Sequence, residues 1–458
     1  MPRRRFDLGR PDLGAGIAAI MREAGVRPGF PPDALRAAEA ARAADRGRVD
    51  LPLVTVDPPG SLDLDQALHI EPISGGHRVH YAIADVGAMV AAGDPLDREA
   101  RRRGVTVYAP ESKAPLYPTR LSEGSASLLP GAWRPVVLWT IDLDDEGRQT
   151  AASVRRAEAR SRSRHTYEDL PASVAGPLAA VGELRARLER DRGGVSLRLP
   201  EQEVVADGIG GWTARYRAPL PSEEHNAQVS LLTGMAAAGL MLDAGVGILR
   251  TQEAPAERSL ARLRLQARAL GHPWEQGVPY GEFVRSLDPS EARSAALLQE
   301  AADAGRGARY VAFDGRPPRA VADRFHFSIA ADYAHATAPL RRLQDRWVSE
   351  CCLAACEGVD PPGWVREGLE ALPEAMREGD RRAGAVERGV IDLVEALILA
   401  GREGQRFEGT VIDEGTVQLA DPAVRAEVTG GCPDPGSTVE VELLRADPAT
   451  RTVDFAVR

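Results

Sequence analysis

Three aspartates stand close together in the segment DPPGSLDLDQA, at Asp57, Asp63 and Asp65. Residues two apart in an extended chain point to the same side, so Asp63 and Asp65 are expected to share a face. The Pro-Pro-Gly turn between them and Asp57 bends the backbone and brings the third carboxylate towards the other two. Converging carboxylates repel one another unless a cation lies among them, and hard oxygen ligands favour Mg²⁺, Mn²⁺ or Ca²⁺ over zinc.

Two alternatives compete with a divalent-metal site at this segment. An EF-hand loop needs Gly at its sixth position and Glu at its twelfth. Counted from Asp57, those positions hold Leu62 and Leu68, so an EF-hand is excluded. The other alternative is three solvated aspartates in an ordinary turn, because Asp is a common turn residue. The segment alone leaves that alternative open.

A second segment dense in polar residues reads HFSIAADYAHATAPLRRLQDR. Thr337 is predicted as the N-cap of a helix with Pro339 in its first turn. Arg341 and Arg342 would then lie in or near that turn, where the positive end of the helix dipole disfavours cations. A bound anion such as a phosphate would explain their presence. The alternative is a pair of ordinary surface arginines.

Histidines and cysteines are assigned packing roles. His326 and His335 are more typical of buried, hydrogen-bonded histidines than of catalysts. The cysteines lack paired C-x-x-C zinc spacing, and they are predicted to be idle thiols in a reducing compartment. They are Cys351, Cys352, Cys356 and Cys432.

Composition points to a folded protein of the cytoplasm. The 458 residues are 43% hydrophobic and 27% charged, which is ordinary for such a chain. No apolar run approaching the roughly 18 residues of a membrane span is expected, and the basic N-terminus lacks the apolar core of a secretory signal. The net charge of −10 excludes a basic coat but allows one positive channel. Because Lys113 is the sole lysine, a phosphate clamp would consist of arginines.

The periodicity of apolar residues predicts an α+β fold. Alternating segments from Leu51 onwards predict strands, and DPLDREARRRG predicts a helix with Asp94 as N-cap and Gly104 just past its end. A long helix is predicted from near Ser222 to Gly245, and further helices follow to about residue 402.

The last segment has short alternating strands broken by Gly, Pro and Asp, which predicts a small antiparallel barrel of the oligonucleotide-binding (OB) type. The predicted architecture is a mixed sheet with packed helices, followed by that barrel. The predicted domains are a short helical segment at 1–50, a catalytic domain at 51–403 and the OB-type barrel at 404–458.

The two dense segments together resemble the ribonuclease II/R family, defined by the RNB domain. DPPGSLDLDQA resembles its signature of an Asp, a short gap and Asp-x-Asp-Asp, and SIAADYAHATAPLRRLQD is similar to its Tyr-x-x-x-Thr-Ser-Pro-Ile-Arg-Arg-Tyr segment. The stretch from HYAIADV to SEGSASLLPG continues the likeness. The resemblance runs from about Leu51 to Ile398, and the barrel resembles the terminal RNA-binding barrel of the family.

The resemblance implies a hydrolytic 3′–5′ exoribonuclease that degrades single-stranded RNA processively to nucleoside 5′-monophosphates. It implies Mg²⁺ as cofactor, with Mn²⁺ as the alternative, and a monomer with no membrane attachment and no nucleotide cofactor. The implied residues are Asp57, Asp63, Asp65 and Gln66 for metal, Asp65, Arg341 and Arg342 for catalysis, and Tyr108, Tyr167, Tyr333 and Thr337 for RNA.

Several positions depart from the family pattern. Gln66 replaces the last Asp of the signature, so the cluster carries three formal negative charges and is expected to bind metal more weakly. The residues before Leu51 are too few for the two cold-shock barrels typical of the family, so a short form is expected. The alternative function is therefore an RNA-binding protein that keeps the fold but is catalytically impaired. The other departures are Ala338, Leu343, Asn226 and Gln228.

Overall fold

A seven-stranded mixed sheet lies at the centre of the fold, in the order β1-β8-β7-β4-β3-β2-β9. Only its edge pairs, β1 with β8 and β2 with β9, are parallel. A separate hairpin is formed by β5 and β6. These strands are β1 (Arg48–Val49), β2 (Val54–Val56), β3 (Gln66–Ile73), β4 (Gly76–Ala84), β5 (Val107–Ala109), β6 (Ser112–Ala114), β7 (Arg134–Asp144), β8 (Gln149–Ala159) and β9 (Ser163–His165).

The computed structural model describes residues 13–110, 112–199, 201–206, 212–419, 422, 424–435 and 437–458. The start of the predicted N-terminal helical segment therefore lies outside the described residues. The helices are α1 (Leu13–Glu23), α2 (Pro32–Ala40), α3 (Pro95–Arg103), α4 (Ala172–Asp191), α5 (Pro221–Ala244), α6 (Glu257–Ala269), α7 (Tyr280–Ser286), α8 (Ala292–Ala304), α9 (Gln344–Glu357), α10 (Gly363–Leu369) and α11 (Leu372–Leu399).

The C-terminal strands close into a barrel in the order β16-β17-β18-β20-β19, as the turn-rich sequence predicts, but β18 and β20 pair in parallel and not antiparallel as expected. In chain order, the described residues form three two-stranded ribbons after the sheet and before the barrel, namely β10 with β11, β12 with β13 and β14 with β15. The fold class, an α+β domain followed by a small barrel, is thus confirmed. The remaining strands are β10 (Glu201–Ala206), β11 (Trp212–Arg217), β12 (Val246–Thr251), β13 (Arg309–Asp314), β14 (Phe325–His326), β15 (Ala331–Asp332), β16 (Arg406–Asp413), β17 (Thr416–Leu419), β18 (Arg425–Thr429), β19 (Thr438–Asp447) and β20 (Thr452–Val457).

Helix α3 begins and ends where its capping residues predict. The Asp94 carboxylate accepts a hydrogen bond from Asp97 N at 2.7 Å, and Gly104 follows the helix with φ of 72°. A side chain at Gly104 would collide with Ala375 O of α11, at 2.6 Å from the Cβ position. Glycine is therefore required there both by the backbone angle and by the close approach of α11.

Helix α9 starts six residues later than the sequence predicts. Thr337 was expected as its N-cap, but the helix begins at Gln344 and residues 337–343 form turns. Leu343 N, which would donate to Pro339 O in a continuous helix, donates instead to Gly104 O, and Asp345 Oδ1 accepts a hydrogen bond from Ala338 N at 2.8 Å. We call residues 337–343 the arginine loop. The prediction that this loop forms the first turn of a helix was wrong. A free helix N-terminus therefore does not explain the two arginines of the loop.

The arginine loop is also joined to the chain that leaves α3. Leu343 N donates to Gly104 O at 2.9 Å, and Thr106 N donates to Arg341 O at 3.0 Å. Val105 and Arg342 form an antiparallel bridge between the two segments. The loop therefore has a fixed backbone path although it belongs to no helix.

Helix α5 is long and apolar enough to span a membrane, and it is the one such helix among the described residues. The expectation that no apolar run reaches that length does not hold for α5. Half of its most apolar 18-residue stretch is buried within the protein, where the helix packs against α4, α9 and β12. It also buries the polar side chains of Asn226, Gln228 and Thr233. These contacts are those of a core helix.

Arg346 of α9 is 1% exposed and offers a test of how the helix is anchored. It donates to Asp97 Oδ1 at 2.6 Å and to Val90 O at 2.7 Å. Arg346→Leu should lower the free energy of unfolding by about 3–5 kcal/mol, because it leaves a buried carboxylate without this partner. Arg377→Leu removes an exposed pair with Glu374 and should change little. Urea unfolding of both variants measures this, and equal losses would contradict it.

Candidate active site

The segment that carries the three aspartates, residues 57–65, connects β2 to β3 and is called the carboxylate loop here. Hydrogen bonds with Ser127 and Leu128 hold this loop around Leu64. The Ser127 hydroxyl accepts a hydrogen bond from Leu64 N at 3.0 Å and donates one to Leu62 O at 2.6 Å. Leu128 N donates to Leu64 O at 3.0 Å, and the Leu64 side chain is fully buried. The flanking residues Asp63 and Asp65 are thereby fixed in position.

Asp65 is where the carboxylate loop meets the arginine loop, 275 residues later in the chain. Its Oδ1 accepts a hydrogen bond from Leu340 N at 2.7 Å. Its Oδ2 lies 3.3 Å from Arg341 Nε and, within the described residues, is buried and accepts no hydrogen bond. The structure thus brings together the two segments that the sequence singles out.

The electrostatic surroundings of Asp65 favour its neutral form in the protein without metal. Burial raises the pKa of Asp65 to about 7, although the Arg341 guanidinium and the Leu340 N–H act in the opposite direction. The carboxylates of Asp63 and Asp345 raise the pKa further. A cation bound at this carboxylate would favour the charged form and lower the pKa again.

Asp63 faces different partners from those of Asp65. The Tyr108 hydroxyl donates to Asp63 Oδ2 at 2.9 Å, and Lys113 Nζ lies 3.2 Å from Asp63 Oδ1. The same ammonium lies 2.8 Å from Glu123 Oε1. Burial alone would raise the pKa of Asp63, but Lys113 and Tyr108 outweigh it and hold the pKa below its ordinary value. Asp63 is therefore a charged carboxylate with a protein cation beside it.

Gln66, the fourth predicted metal ligand, has its amide oxygen engaged by hydroxyl groups. Tyr81 of β4 donates a short hydrogen bond to Gln66 Oε1, and Ser230 of α5 donates another at 3.4 Å. The Tyr81 and Ser230 hydroxyls are 3.0 Å apart. Ligation of a metal by Gln66 would require this oxygen to exchange those hydrogen bonds.

Asp57 follows β2 and lies in the same region as Tyr167 and Arg341. Its negative charge is one of the influences that raise the pKa of both side chains. The Tyr167 hydroxyl accepts a hydrogen bond from Asn226 Nδ2 at 3.1 Å, and burial is the main cause of its raised pKa. Tyr167 therefore lies against α5, beside the carboxylate loop.

The three aspartates do not form the converged triad that their spacing predicts. Within the described part of the chain, no three His, Cys, Asp or Glu side chains are placed as a metal-binding group. Repulsion between carboxylates is relieved when a cation lies beside them, and two of the three aspartates have a cation of the protein as neighbour. Asp63 turns to Lys113 and Asp65 to Arg341.

Arg342 does not face the carboxylate loop in the way that Arg341 does. Its guanidinium makes a bidentate pair with Asp345, at 2.9 and 2.7 Å. Asp345 is fully buried, so this pair holds the arginine loop rather than presenting a free cation. The Arg341 side chain remains 31% exposed and is the more accessible of the two.

Tyr333 and Thr337, both predicted to contact RNA, have little exposed surface, at 7% and 6%. Tyr333 packs edge-on against His326 and His335, with ring centroids 5.8 and 5.6 Å apart. Burial raises the pKa of Tyr333 to about 12 and lowers that of His326 to about 4. These are the neutral, packed side chains expected of the two histidines.

Sequence reasoning missed Lys113, Glu123 and Tyr81. Lys113 reaches Asp63 from the β5–β6 hairpin, where Tyr108 pairs directly with it. The signal that pointed to it was its status as the sole lysine. Neither Glu123 nor Tyr81 carries a sequence signal that separates it from ordinary residues.

The fold and site define a class of proteins in which a mixed-sheet domain with a carboxylate and arginine centre precedes an S1 barrel. The RNB domain matches residues 48–356, and the RNase II-type exonuclease C-terminal S1 domain matches residues 405–458. The first match covers more than half of the chain, and the chain belongs to the RNB-domain family.

Similar proteins agree with this assignment. Ribonuclease R of Aquifex aeolicus (strain VF5) is 28% identical over 386 residues, which cover 78% of this chain and 53% of that protein. The chain spans about half the length of the curated relatives that it matches first.

Solved structures show the same fold. Mycoplasma genitalium RNase R in complex with ribose methylated single-stranded RNA has a TM-score of 0.83 at 18% identity, covering 98% of this chain and 78% of that one. Yeast Ssd1, described as a pseudonuclease, has a TM-score of 0.69 at 16% identity, covering 95% and 59%. At such identities the likeness concerns the fold alone.

The opposite pKa shifts of Asp65 and Asp63 predict opposite effects of neutralising them in metal-free protein. A raised folded-state pKa favours the protonated acid, so the stability due to Asp65 is lost as pH rises from about 4 to about 7. Asp65→Asn, which is always neutral, should gain stability relative to wild type over that range.

Asp63→Asn is the matched control, because a lowered pKa gives stability that is present above the unfolded pKa and lost in acid. This variant should lose stability relative to wild type at neutral pH. Melting temperatures measured in EDTA from pH 4 to pH 8 check both. A stability difference for Asp65→Asn that does not change with pH would refute the assignment.

Proposed function

We propose that this chain is a metal-dependent 3′–5′ exoribonuclease that hydrolyses single-stranded RNA processively to nucleoside 5′-monophosphates. Membership of the RNB-domain family and the curated relatives named Ribonuclease R support the proposal. The observation that carries it is the contact of Asp65 with Arg341. It places a buried carboxylate and a partly exposed guanidinium side by side, which are the parts that phosphodiester hydrolysis needs.

A hard divalent cation, Mg²⁺ or Mn²⁺, fits the donor chemistry of the carboxylate loop. Asp65 Oδ2 is buried and accepts no hydrogen bond within the described residues, and Asp57 carries its charge into the same region. We propose Asp65 and Asp57 as its principal ligands, with Asp63 and Gln66 beside them. When bound, such a cation would supply Lewis-acid stabilisation and an activated water.

Arg341 is proposed to bind the scissile phosphate. Its carbonyl oxygen accepts a hydrogen bond from Thr106 N, which fixes its backbone, and its Nε is held near Asp65. A guanidinium has five donors in a rigid plane, so the remaining N–H groups suit a phosphate. Arg342 is proposed as a positioning residue, because its pair with Asp345 fixes the loop.

Aromatic side chains around the site are proposed to contact the RNA bases. Tyr108 and Tyr167 lie beside Asp63 and Asp57, respectively, and both are partly exposed. Stacking of a base on an aromatic ring contributes about 1–3 kcal/mol and does not depend on sequence. The C-terminal S1 barrel would bind the single strand farther from the centre. A cytoplasmic monomer with no nucleotide cofactor remains part of the proposal.

The second candidate is an RNA-binding protein that does not hydrolyse RNA. Two observations favour it: the Gln66 amide oxygen is occupied by Tyr81 and Ser230, and one structural neighbour is described as a pseudonuclease. In this case the arginine loop and the barrel would bind RNA without turnover.

A 5′-labelled single-stranded RNA distinguishes the two candidates. Incubation with Mg²⁺ or Mn²⁺ should give products that shorten from the 3′ end, and EDTA should prevent it. Asp65→Asn should abolish shortening, because it removes a charged ligand, yet leave RNA binding in a filter assay nearly unchanged. Intact RNA that the wild-type protein nevertheless binds would establish the second candidate instead.

The two arginines should respond differently to substitution. Arg341→Ala should lower kcat by roughly 10²- to 10³-fold with little change in RNA affinity, since it acts on charge that develops at the phosphate. Arg342→Ala should lower thermal stability, because it leaves buried Asp345 without its bidentate partner. Single-turnover kinetics and melting curves measure the two effects. Equal kinetic defects at full stability would contradict the division of roles.

A further inference from the structure

The only lysine of the chain lies at the carboxylate loop. The protein has 57 Lys and Arg residues together, and Lys113 is the sole lysine among them. Its Nζ lies 3.2 Å from Asp63 Oδ1 and 2.8 Å from Glu123 Oε1. An ammonium is a compact point charge with three donors that need no common plane, whereas a guanidinium is a planar fork. In shape and charge, lysine is the side chain closest to a small cation.

Rigid elements hold this ammonium in place. Lys113 belongs to β6 and pairs with Tyr108 of β5, whose hydroxyl donates to the other oxygen of Asp63. Glu123 belongs to a single wide helical turn, Leu121–Ser125. The side chains of Lys113, Asp63 and Glu123 are only 25%, 14% and 19% exposed. Salt therefore screens their attraction less than that of a surface pair.

The carboxylates of the site are thus divided between two protein cations. Asp63 is matched by Lys113, and Asp65 is matched by Arg341. The two carboxylates differ in whether all of their oxygens have a polar partner. Both Asp63 oxygens have polar partners, whereas Asp65 Oδ2 accepts no hydrogen bond within the described residues. A divalent ion that approached Asp63 would also meet the positive charge of Lys113.

We propose that the Lys113 ammonium is a built-in cation of this centre, so that the centre binds one divalent ion, at Asp65 and Asp57, rather than two. The inference rests on the proposed metal-dependent function. Lys113 neutralises Asp63 permanently, and the repulsion between its charge and a second divalent ion excludes that ion. Neutral Gln66 acts in the same direction, because it adds no negative charge that a second ion would balance.

Counting bound Mn²⁺ tests the proposal without RNA and without an activity assay. Equilibrium dialysis of the full chain followed by metal analysis should give one Mn²⁺ per wild-type chain. Lys113→Arg, which keeps the charge, should also give one. Lys113→Met, which frees Asp63 and Glu123, should give two. Two ions in the wild type, or one in Lys113→Met, would overturn the inference, and none in the wild type would overturn the proposed metal dependence with it.

The wild-type protein provides a second measurement that holds even if Lys113→Met does not fold. Lysine labelled with ¹³C at Cε gives a single side-chain NMR signal, because the chain has one lysine. Asp63→Asn should shift that signal by breaking the ion pair. Saturation with Mg²⁺ should leave the wild-type signal near its metal-free position. A shift to the position of the Asp63→Asn signal would mean that the ion displaces Lys113, and the proposal would be wrong.

Discussion

The candidate site depends on one buried carboxylate, Asp65, which joins two segments 275 residues apart. One of its oxygens takes the Leu340 N–H and the other lies beside the Arg341 guanidinium. A buried carboxylate is stable only with such partners, so the position of Asp65 requires that the arginine loop lie against the start of β3. The central sheet fixes one side of this contact, and α9 with α3 fixes the other.

Asp345 is the buried carboxylate that holds the arginine loop itself together. It is fully buried and accepts hydrogen bonds from Ala338 N, from Arg342 and from Gln344. It accepts from the N–H of Ala338, while Leu343 N, which a helix starting at Thr337 would pair with Pro339 O, donates to Gly104 O instead. The loop is thereby kept as a hydrogen-bonded turn outside α9, and its Leu340 N donates to Asp65. Buried pairs of this kind add little net stability, but they determine which groups meet.

Local patterns predicted the parts of the fold that local physics controls. The caps of α3, the presence of strands from Leu51 onwards and the turn-rich barrel all follow from residues within a few positions of one another. The start of α9 was predicted wrongly, since Leu343 N donates to Gly104 O, far away in the chain, instead of closing a helical turn. The partnership of Lys113 with Asp63 was not predictable from spacing, because it depends on how the β5–β6 hairpin packs on the carboxylate loop. The one trace of it in the sequence was compositional.

Gln66 looks like the loss of a catalytic charge when the signature is read alone, but its surroundings give it another meaning. A fourth aspartate at that position would bury a further negative charge beside Tyr81 and next to Asp65, which is unfavourable unless a cation balances it. With a neutral amide there, the Tyr81 and Ser230 hydroxyls have an acceptor and the site carries less negative charge. Lys113 lowers that charge further at Asp63. Gln66 and Lys113 therefore both lower the negative charge of the same centre, while Asp65 and Arg341 keep their contact.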